Sequence, residues 1–222
     1  MVSGMLLGPI APGNGWHHAE NIWVQTAHQI GVGMFGYAND NDGNYPDGKS
    51  STEVFQKLLD GGYCSDPTVF YIPLPGKIKP TAGQKLKPEN VCWDVTSGVD
   101  SSSPDRLPIL FMTGYKVTYV PGGSLIPIIK PHPQFGAEIH TLAQWWHEPT
   151  PSPGIAVFYK GNNALFLRSG MEISYRDDGS IVLKSSTPAI TDGSMANFLP
   201  PDFDSRVKTY RQLTPDGLLP GN

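Results

Sequence analysis

The segment Asn39–Gly43 is the strongest candidate for metal chemistry in this chain. It reads Asn-Asp-Asn-Asp-Gly, and Ca²⁺ prefers clustered carboxylate and carbonyl oxygens. In an EF-hand loop with Gly43 at the sixth position, however, the first ligand would be Ala38 and the twelfth would be Lys49. Neither side chain binds Ca²⁺. Because Asp, Asn and Gly also favour turns, we interpret the segment as a polar turn, and we predict no metal or cofactor site.

The histidines and serines form no recognisable zinc-binding or catalytic pattern. His18 and His28 are ten residues apart on a predicted helix, and the chain has no HExxH motif. Three further histidines lack an acidic partner at ligand spacing: His132, His140 and His147. A hydrolytic triad can be assembled only from distant residues such as Asp105, His147 and Ser169, without a GxSxG motif. We therefore predict that the chain is not an enzyme.

The composition favours a β-rich fold and indicates no nucleic-acid partner. The 222 residues include 25 glycines and 22 prolines, which excludes a helical bundle and favours short strands joined by turns. With 39% hydrophobic residues the chain can fill a core. The net charge is −4 and the basic residues are scattered, so they form no electrostatic footprint for nucleic acid.

An amphipathic helix is predicted over residues 16–39. Its apolar residues recur at alternating steps of four and three and form one stripe: Trp23, Ala27, Ile30, Met34 and Tyr37. The polar turn ends this helix, and Pro46 prevents its resumption. Glycines 31, 33 and 36 each cost about 1 kcal/mol relative to alanine in a helix. We expect close packing against a sheet to offset that cost.

A second, shorter helix is predicted over residues 51–60. Ser50 and Glu53 form a capping box, and Gly61 ends the helix. Its buried face is expected to contain Val54, Phe55, Leu58 and Leu59. The residues after it follow the pattern Gly-Tyr-x-x-Asp-Pro-x-x-Phe, formed by Gly62, Tyr63, Asp66, Pro67 and Phe70.

The end of the first helix and the segment after the second helix resemble the corresponding parts of pseudopilins, the type IV pilin-like subunits of type II secretion systems. In bacterial members the long first helix closes on a segment of the form QIGLA…YANDNDGxYP, and here residues 29–46 read QIGVGMFGYANDNDGNYP. The Gly-Tyr-x-x-Asp-Pro-x-x-Phe pattern also follows a short helix in that family. A weaker similarity to planctomycete and verrucomicrobial members covers the strand at 154–159, although Lys160-Gly161 stands where they have Asp-Gly.

The resemblance implies a pilin-like α+β fold, in which the helix packs across an antiparallel sheet with long Pro/Gly-rich loops. It implies a structural role, in which subunits assemble with other pseudopilins into a short filament that exports proteins with the secretion machinery. Within the stripe, Ile30, Met34 and Tyr37 are expected to pack inside the domain. Trp23 is the better candidate for contact with a neighbouring subunit. Major members of the family have a calcium site in a C-terminal loop. The comparable acidic residues here are Asp192, Asp202 and Asp204, and their spacing does not link them to that site.

The N-terminal residues depart from the family pattern. Pseudopilins begin with a cleavable leader and a hydrophobic helix, whereas residues 1–15 are a Gly/Pro-rich lead-in and no run of eighteen apolar residues is present. We interpret the chain either as a soluble form that lacks the membrane half or as a divergent member. On this basis we expect one domain over 16–222, with a globular head at 40–222. The full-length form is expected to be periplasmic and anchored in the inner membrane.

Cys64 and Cys92 are the only cysteines. Their separation allows a disulfide, which would stabilise the fold by roughly 3 kcal/mol in an oxidising compartment. They are equally compatible with two buried thiols. Without a CxxC motif or a neighbouring histidine pair, they do not form a metal site.

The rest of the chain is predicted to be mostly β structure. Strands are expected at 68–73, 90–95, one or two within 110–120, 155–159, 164–168, 171–175 and 180–184. Turn residues at 160–163 and 177–179 predict two hairpins. Residues 121–136 are expected to be irregular, 138–147 to form a short helix, and the loop-rich tail from 185 to wrap the surface.

Two other functions are compatible with the sequence. The chain could be an extracellular or periplasmic β-rich module that recognises polysaccharide through exposed aromatic side chains such as Trp145 and Trp146. Adjacent tryptophans on a helix cannot both face a core. It could also be a hydrolase whose triad is not recognisable from one sequence.

Overall fold

A computed structural model describes residues 14–74, 76–128, 130–131, 138–139, 154–168, 171–176, 180–185, 194–204 and 209–218. Two α-helices precede the strands: α1 Asn14–Asp40 and α2 Ser51–Asp60. The strands in these ranges are β1 Trp93–Ser97, β2 Pro108–Met112, β3 Tyr115–Val117, β4 Leu125–Pro127, β5 Lys130–Pro131, β6 Glu138–Ile139, β7 Gly154–Tyr159, β8 Asn163–Arg168, β9 Met171–Tyr175, β10 Ile181–Ser185, β11 Arg211–Thr214 and β12 Gly217–Leu218.

Six of these strands form one antiparallel sheet, in the order β12-β11-β1-β2-β7-β8. The remaining strands form three two-stranded ladders, β3-β4, β5-β6 and β9-β10. β1 and β2 are buried along their whole length, and so is β7. The fold is therefore α+β with an antiparallel sheet, as the sequence predicts.

Each helix buries one apolar face against the sheet and the adjoining segments. α1 packs on β7, β8 and β2, whereas α2 packs on β1 and β11. Three of the four predicted apolar residues of α2 are fully buried: Val54, Phe55 and Leu58. The ring of Phe55 stacks on that of Phe70 with 4.5 Å between centroids. The predicted helix at 51–60 is confirmed, and the one at 16–39 extends to Asn14–Asp40.

The polar turn ends α1 as expected. Asp42 and Gly43 have φ values of 54° and 79°, in the left-handed region. The Gly43 N–H donates to the Ala38 carbonyl oxygen, and the Asn41 side-chain amide donates to the Tyr37 carbonyl oxygen. These two bonds satisfy carbonyl groups that the last helical turn leaves unpaired.

The predicted strand at 68–73 is wrong. Pro67–Phe70 is a 3-10 helix, because Asp66 accepts hydrogen bonds from both the backbone N–H and the hydroxyl of Thr68. Pro67, at the first helical position, has a backbone already suited to a helix start. A second 3-10 turn at Pro88–Asn90 also displaces the start of the predicted strand 90–95 to Trp93.

Three predictions for the C-terminal half also need correction. The stretch 121–136 contains β4, because Gly122, with φ of 65°, returns the chain against β3. Glu138–Ile139 pairs with Lys130–Pro131 as a short ladder, so no helix begins at 138, and residues 140–147 lie outside the described residues. The tail does not only wrap the surface, since β11 is inserted between β1 and β12. The expected hairpins 155–168 and 171–184 are confirmed by their pairing, and the turn 177–179 lies outside the described residues.

No helix in the described ranges is long and apolar enough to cross a membrane.

Candidate functional site

The predicted stripe of α1 forms the contact between this helix and the sheet. Ala27, Ile30 and Met34 are fully buried. Tyr37 and Trp23, near the two ends of the stripe, are half-buried against the same core. The structure thus places all five residues on one side of the helix, as their spacing predicts.

Trp23 packs within the domain, on the outermost strand of the sheet. Its ring lies 6.0 Å from that of Phe166 in β8, measured between centroids. One turn earlier, Glu20 forms an ion pair of 3.0 Å with Arg168 at the end of β8. Both contacts hold the N-terminal part of α1 on the sheet, and Trp23 is only partly buried there.

The end of α1 and residues 62–70 contact each other directly. The Tyr63 hydroxyl donates a hydrogen bond of 2.9 Å to Asp40, and the Tyr63 ring meets Tyr37 edge to face at 5.4 Å. At Gly33, an added Cβ would lie 2.7 Å from the Cys64 sulfur. The helix end and the Gly-Tyr-x-x-Asp-Pro-x-x-Phe segment therefore form one packed unit.

The glycines of α1 allow the close approach that the sequence predicts. A Cβ at Gly31 would lie 2.3 Å from the ring of Phe158 in β7, which is too short for any real contact. Gly36 has more space, since its Cβ would lie 3.4 Å from Tyr63. The sheet is thus the partner of Gly31, whereas the loop after α2 is the partner of Gly33.

The opposite side of α1 is a surface that the stripe alone does not predict. We call it the exposed helix face, and its residues are Ile22, Gln25, His28, Gln29, Val32 and Phe35. Val32 is 48% exposed and Phe35 is 51% exposed, and the two are neighbours at a spacing of three residues. No charged residue occurs between Glu20 and Asp40. This absence of charged residues is the sequence signal from which the exposed helix face could have been predicted.

The two cysteines are free and buried. The Cys92 sulfur lies between the N–H and the carbonyl oxygen of Ile72, at 3.2 and 3.3 Å. Burial raises the pKa of each thiol to about 11. Of the two states that the sequence allows, the structure contains the buried thiols and not the disulfide.

Of the candidate catalytic residues Asp105, His147 and Ser169, only Asp105 lies in the part of the chain that the structure describes. His28 is exposed and its ring meets Phe158 edge to face at 5.8 Å. Asp105 is exposed and forms an ion pair with the mostly buried side chain of Lys160. His147 and Ser169 lie outside the described residues, as do Trp145 and Trp146. Within the described ranges, no three His, Cys, Asp or Glu side chains are placed to hold a metal ion.

Comparison with known proteins identifies no relative: no protein-family model, curated protein or solved structure matches this chain. Among the described surfaces, the exposed helix face combines the half-exposed side chains of Val32 and Phe35 with a span that contains no charged residue.

Proposed function

We propose that this chain is a structural subunit of a pilin-like filament, a pseudopilin of a type II secretion system. The proposal places the globular head in the periplasm and gives the protein a role in export without catalysis. The observation that carries it is the exposed helix face, where Val32 and Phe35 are about half exposed on a helix surface without charge.

The composition of this face supports contact with other subunits. Soluble surfaces are typically a quarter to a third charged, whereas the cores of protein interfaces are depleted of Lys, Glu and Asp and enriched in aromatic residues. The stripe on the opposite side is already used by the sheet. In a filament of such subunits, the helix would therefore contact its own domain on one side and a neighbour on the other.

The sequence similarity at 29–46 and 62–70 supports the same proposal. These segments contact each other through Tyr63 and Asp40 at the end of α1. This end of the helix packs on the head, so the exposed helix face has a defined orientation relative to the sheet.

Photocrosslinking in the cells that produce the protein tests this proposal. The photoreactive residue p-benzoylphenylalanine replaces Phe35, and the same residue at Ile78 is the control, since Ile78 is 60% exposed outside the helix. We expect crosslinks from position 35 to further copies or to other pilin-like subunits, and none from position 78.

Charge substitution provides a second test. Val32→Glu and Phe35→Glu should abolish filament assembly while thermal unfolding changes little, because both positions are exposed. Ile78→Glu should assemble normally. Normal assembly and secretion in both helix variants would contradict the proposal.

A further inference from the structure

A cleft of about 490 Å³ lies at one end of the six-stranded sheet. Its walls come from the loop before β2, the turn between β7 and β8, the start of β10, and the turn at 200–203. The volume is within the range of about 300–1,000 Å³ that is typical of ligand pockets. The chain brings these four segments together from widely separated positions.

One wall is held by a network of backbone and ionic contacts. The Lys160 ammonium group lies 2.8 Å from the Asp105 carboxylate, and the Gly161 N–H donates to the Asp105 carbonyl oxygen. The Lys160 N–H also donates to the Leu107 carbonyl oxygen. The loop before β2 is therefore fixed to the β7–β8 turn without any ligand.

Arg106 is fixed at the side of β9. Its guanidinium group donates a hydrogen bond of 2.6 Å to the Arg176 carbonyl oxygen and lies 5.9 Å from the centre of the Tyr175 ring. The Tyr175 hydroxyl in turn donates to the Phe198 carbonyl oxygen at 2.7 Å. These contacts use one of the five N–H groups of the guanidinium and hold it at the cleft.

The polar lining offers donors and acceptors with balanced charge. Asp105 and Asp202 bring two carboxylates to the lining, and Arg106 brings one cation. The charge of Asp105 is balanced by Lys160, which is paired with it from outside the lining. Asn163 adds an exposed amide that both donates and accepts. Because the charges cancel, a charged ligand gains little from this lining, whereas a ligand rich in hydroxyl groups can pair with every member.

Apolar side chains form much of the remaining lining, among them Ile181, Pro200 and Phe203. A sugar ring combines C–H groups, which such a surface accommodates, with hydroxyl groups around its edge. We propose that this cleft binds a neutral oligosaccharide. The inference goes beyond filament assembly and does not depend on it, since the cleft shares no residue with the exposed helix face.

Titration of the whole 222-residue chain tests this proposal. The probes are the neutral oligosaccharides cellohexaose, xylohexaose and mannohexaose, with oligogalacturonate as the acidic and a chitosan oligomer as the cationic comparison. Binding is measured by calorimetry and located by amide chemical shifts in ¹⁵N-labelled protein. We expect at least one neutral probe to bind, with shifts confined to residues around 104–106, 161–163 and 200–204.

Two exposed side chains are then truncated, in Asn163→Ala and Asp202→Ala. Each should weaken binding of that probe by about tenfold or more, whereas Asn39→Ala, at an exposed amide outside the cleft, should not change it. Thermal unfolding checks that all three variants fold. The proposal is overturned if no neutral probe binds, if a charged probe binds more tightly than every neutral one, or if both cleft variants bind as the wild type does.

Discussion

Gly31 lies so close to Phe158 that an added Cβ would be 2.3 Å from the ring. The contact joins the middle of α1 to the buried strand β7. Gly36 is also a helical glycine, but a Cβ there would lie 3.4 Å from Tyr63, at an ordinary contact distance. Substituting alanine at Gly31 and at Gly36 therefore separates two opposing effects on stability, the gain from higher helix propensity and the loss from overpacking.

We expect Gly31→Ala to lower the free energy of unfolding by about 1–3 kcal/mol, since the strain of overpacking exceeds the propensity gain. Gly36→Ala should leave it unchanged or raise it by up to about 1 kcal/mol. Urea denaturation followed by circular dichroism measures both. Equal effects of the two substitutions would show that the sheet does not constrain Gly31.

Gln212 forms a buried polar link between β11, β1 and β3. Its amide donates to the Asp94 carboxylate and to the Tyr115 carbonyl oxygen, both at 2.6 Å, and its oxygen accepts from the Val117 N–H at 2.9 Å. Gln212 and Asp94 are fully buried. Replacing this side chain with an apolar one of similar size removes three hydrogen bonds at once.

Gln212→Met should therefore lower the free energy of unfolding by about 3 kcal/mol or more, because polar groups buried with it lose a partner. Gln84→Met, at an exposed position, should change it by less than about 0.5 kcal/mol. The midpoints of urea unfolding compare the two. A similar small effect at both positions would contradict the buried network.

The buried thiols should be chemically silent in the folded protein. Burial raises the pKa of Cys64 and Cys92 to about 11, so neither forms much of the reactive thiolate at mildly alkaline pH. We expect no reaction with Ellman's reagent until guanidinium chloride unfolds the chain, when both thiols react. Thr81→Cys, at an exposed position, provides the positive control and should react at once. Absence of titratable thiols in the unfolded protein would indicate a disulfide instead.

Glu53, in the first turn of α2, should contribute stability that depends on pH. Its side chain accepts from the residue before the N-cap and not from the N-cap Ser50, so the predicted capping box is only half formed. The Glu53 carboxylate accepts a hydrogen bond of 3.0 Å from the Lys49 N–H, and this bond, with the nearby Lys57 charge, lowers the pKa of Glu53. The contribution is therefore present above the ordinary pKa of 4.5 and is lost as the pH falls through the lowered value. Glu53→Gln should reduce the loss of stability on acidification.

Ser50→Ala is the matched control, because it removes a cap without removing a titrating group. The Glu53 N–H donates to the Ser50 hydroxyl at 3.2 Å. Loss of this hydrogen bond should lower the free energy of unfolding by about 1 kcal/mol at neutral and acidic pH alike. Thermal unfolding across the pH range distinguishes the two variants, and identical pH profiles would contradict a role for the Glu53 charge.

Local sequence signals predict the helices and the hairpins well, because the interactions responsible lie within a few residues. The cap at Ser50, the turn at Asp42-Gly43 and the hairpin around 160–163 are of this kind. The strand predicted at 68–73 is wrong because the apolar pattern there conceals the capping of a 3-10 helix by Asp66. In so short a segment, the spacing of apolar residues does not distinguish a strand from a 3-10 helix.

The sheet order and the cleft could not be predicted in the same way. β11 pairs with β1 through contacts between residues far apart in sequence, and four distant segments form the cleft. The exposed helix face was missed for a different reason. Val32 and Phe35 lie outside the predicted stripe, and sequence periodicity does not distinguish an apolar residue that is exposed from one that packs locally.

The position of β11 has a consequence for how the chain is made. Asp94 and Gln212 are 118 residues apart, so β1 leaves the ribosome long before its partner strand exists. At 5–20 residues per second, the wait is roughly 6–24 s. During that interval the edge of β1 that later pairs with β11 has no partner strand. The Asp94 carboxylate also lacks the hydrogen bond that the Gln212 amide later donates. Completion of the sheet is thus a late event in synthesis, and a nascent chain arrested before Gln212 would be a substrate for chaperones.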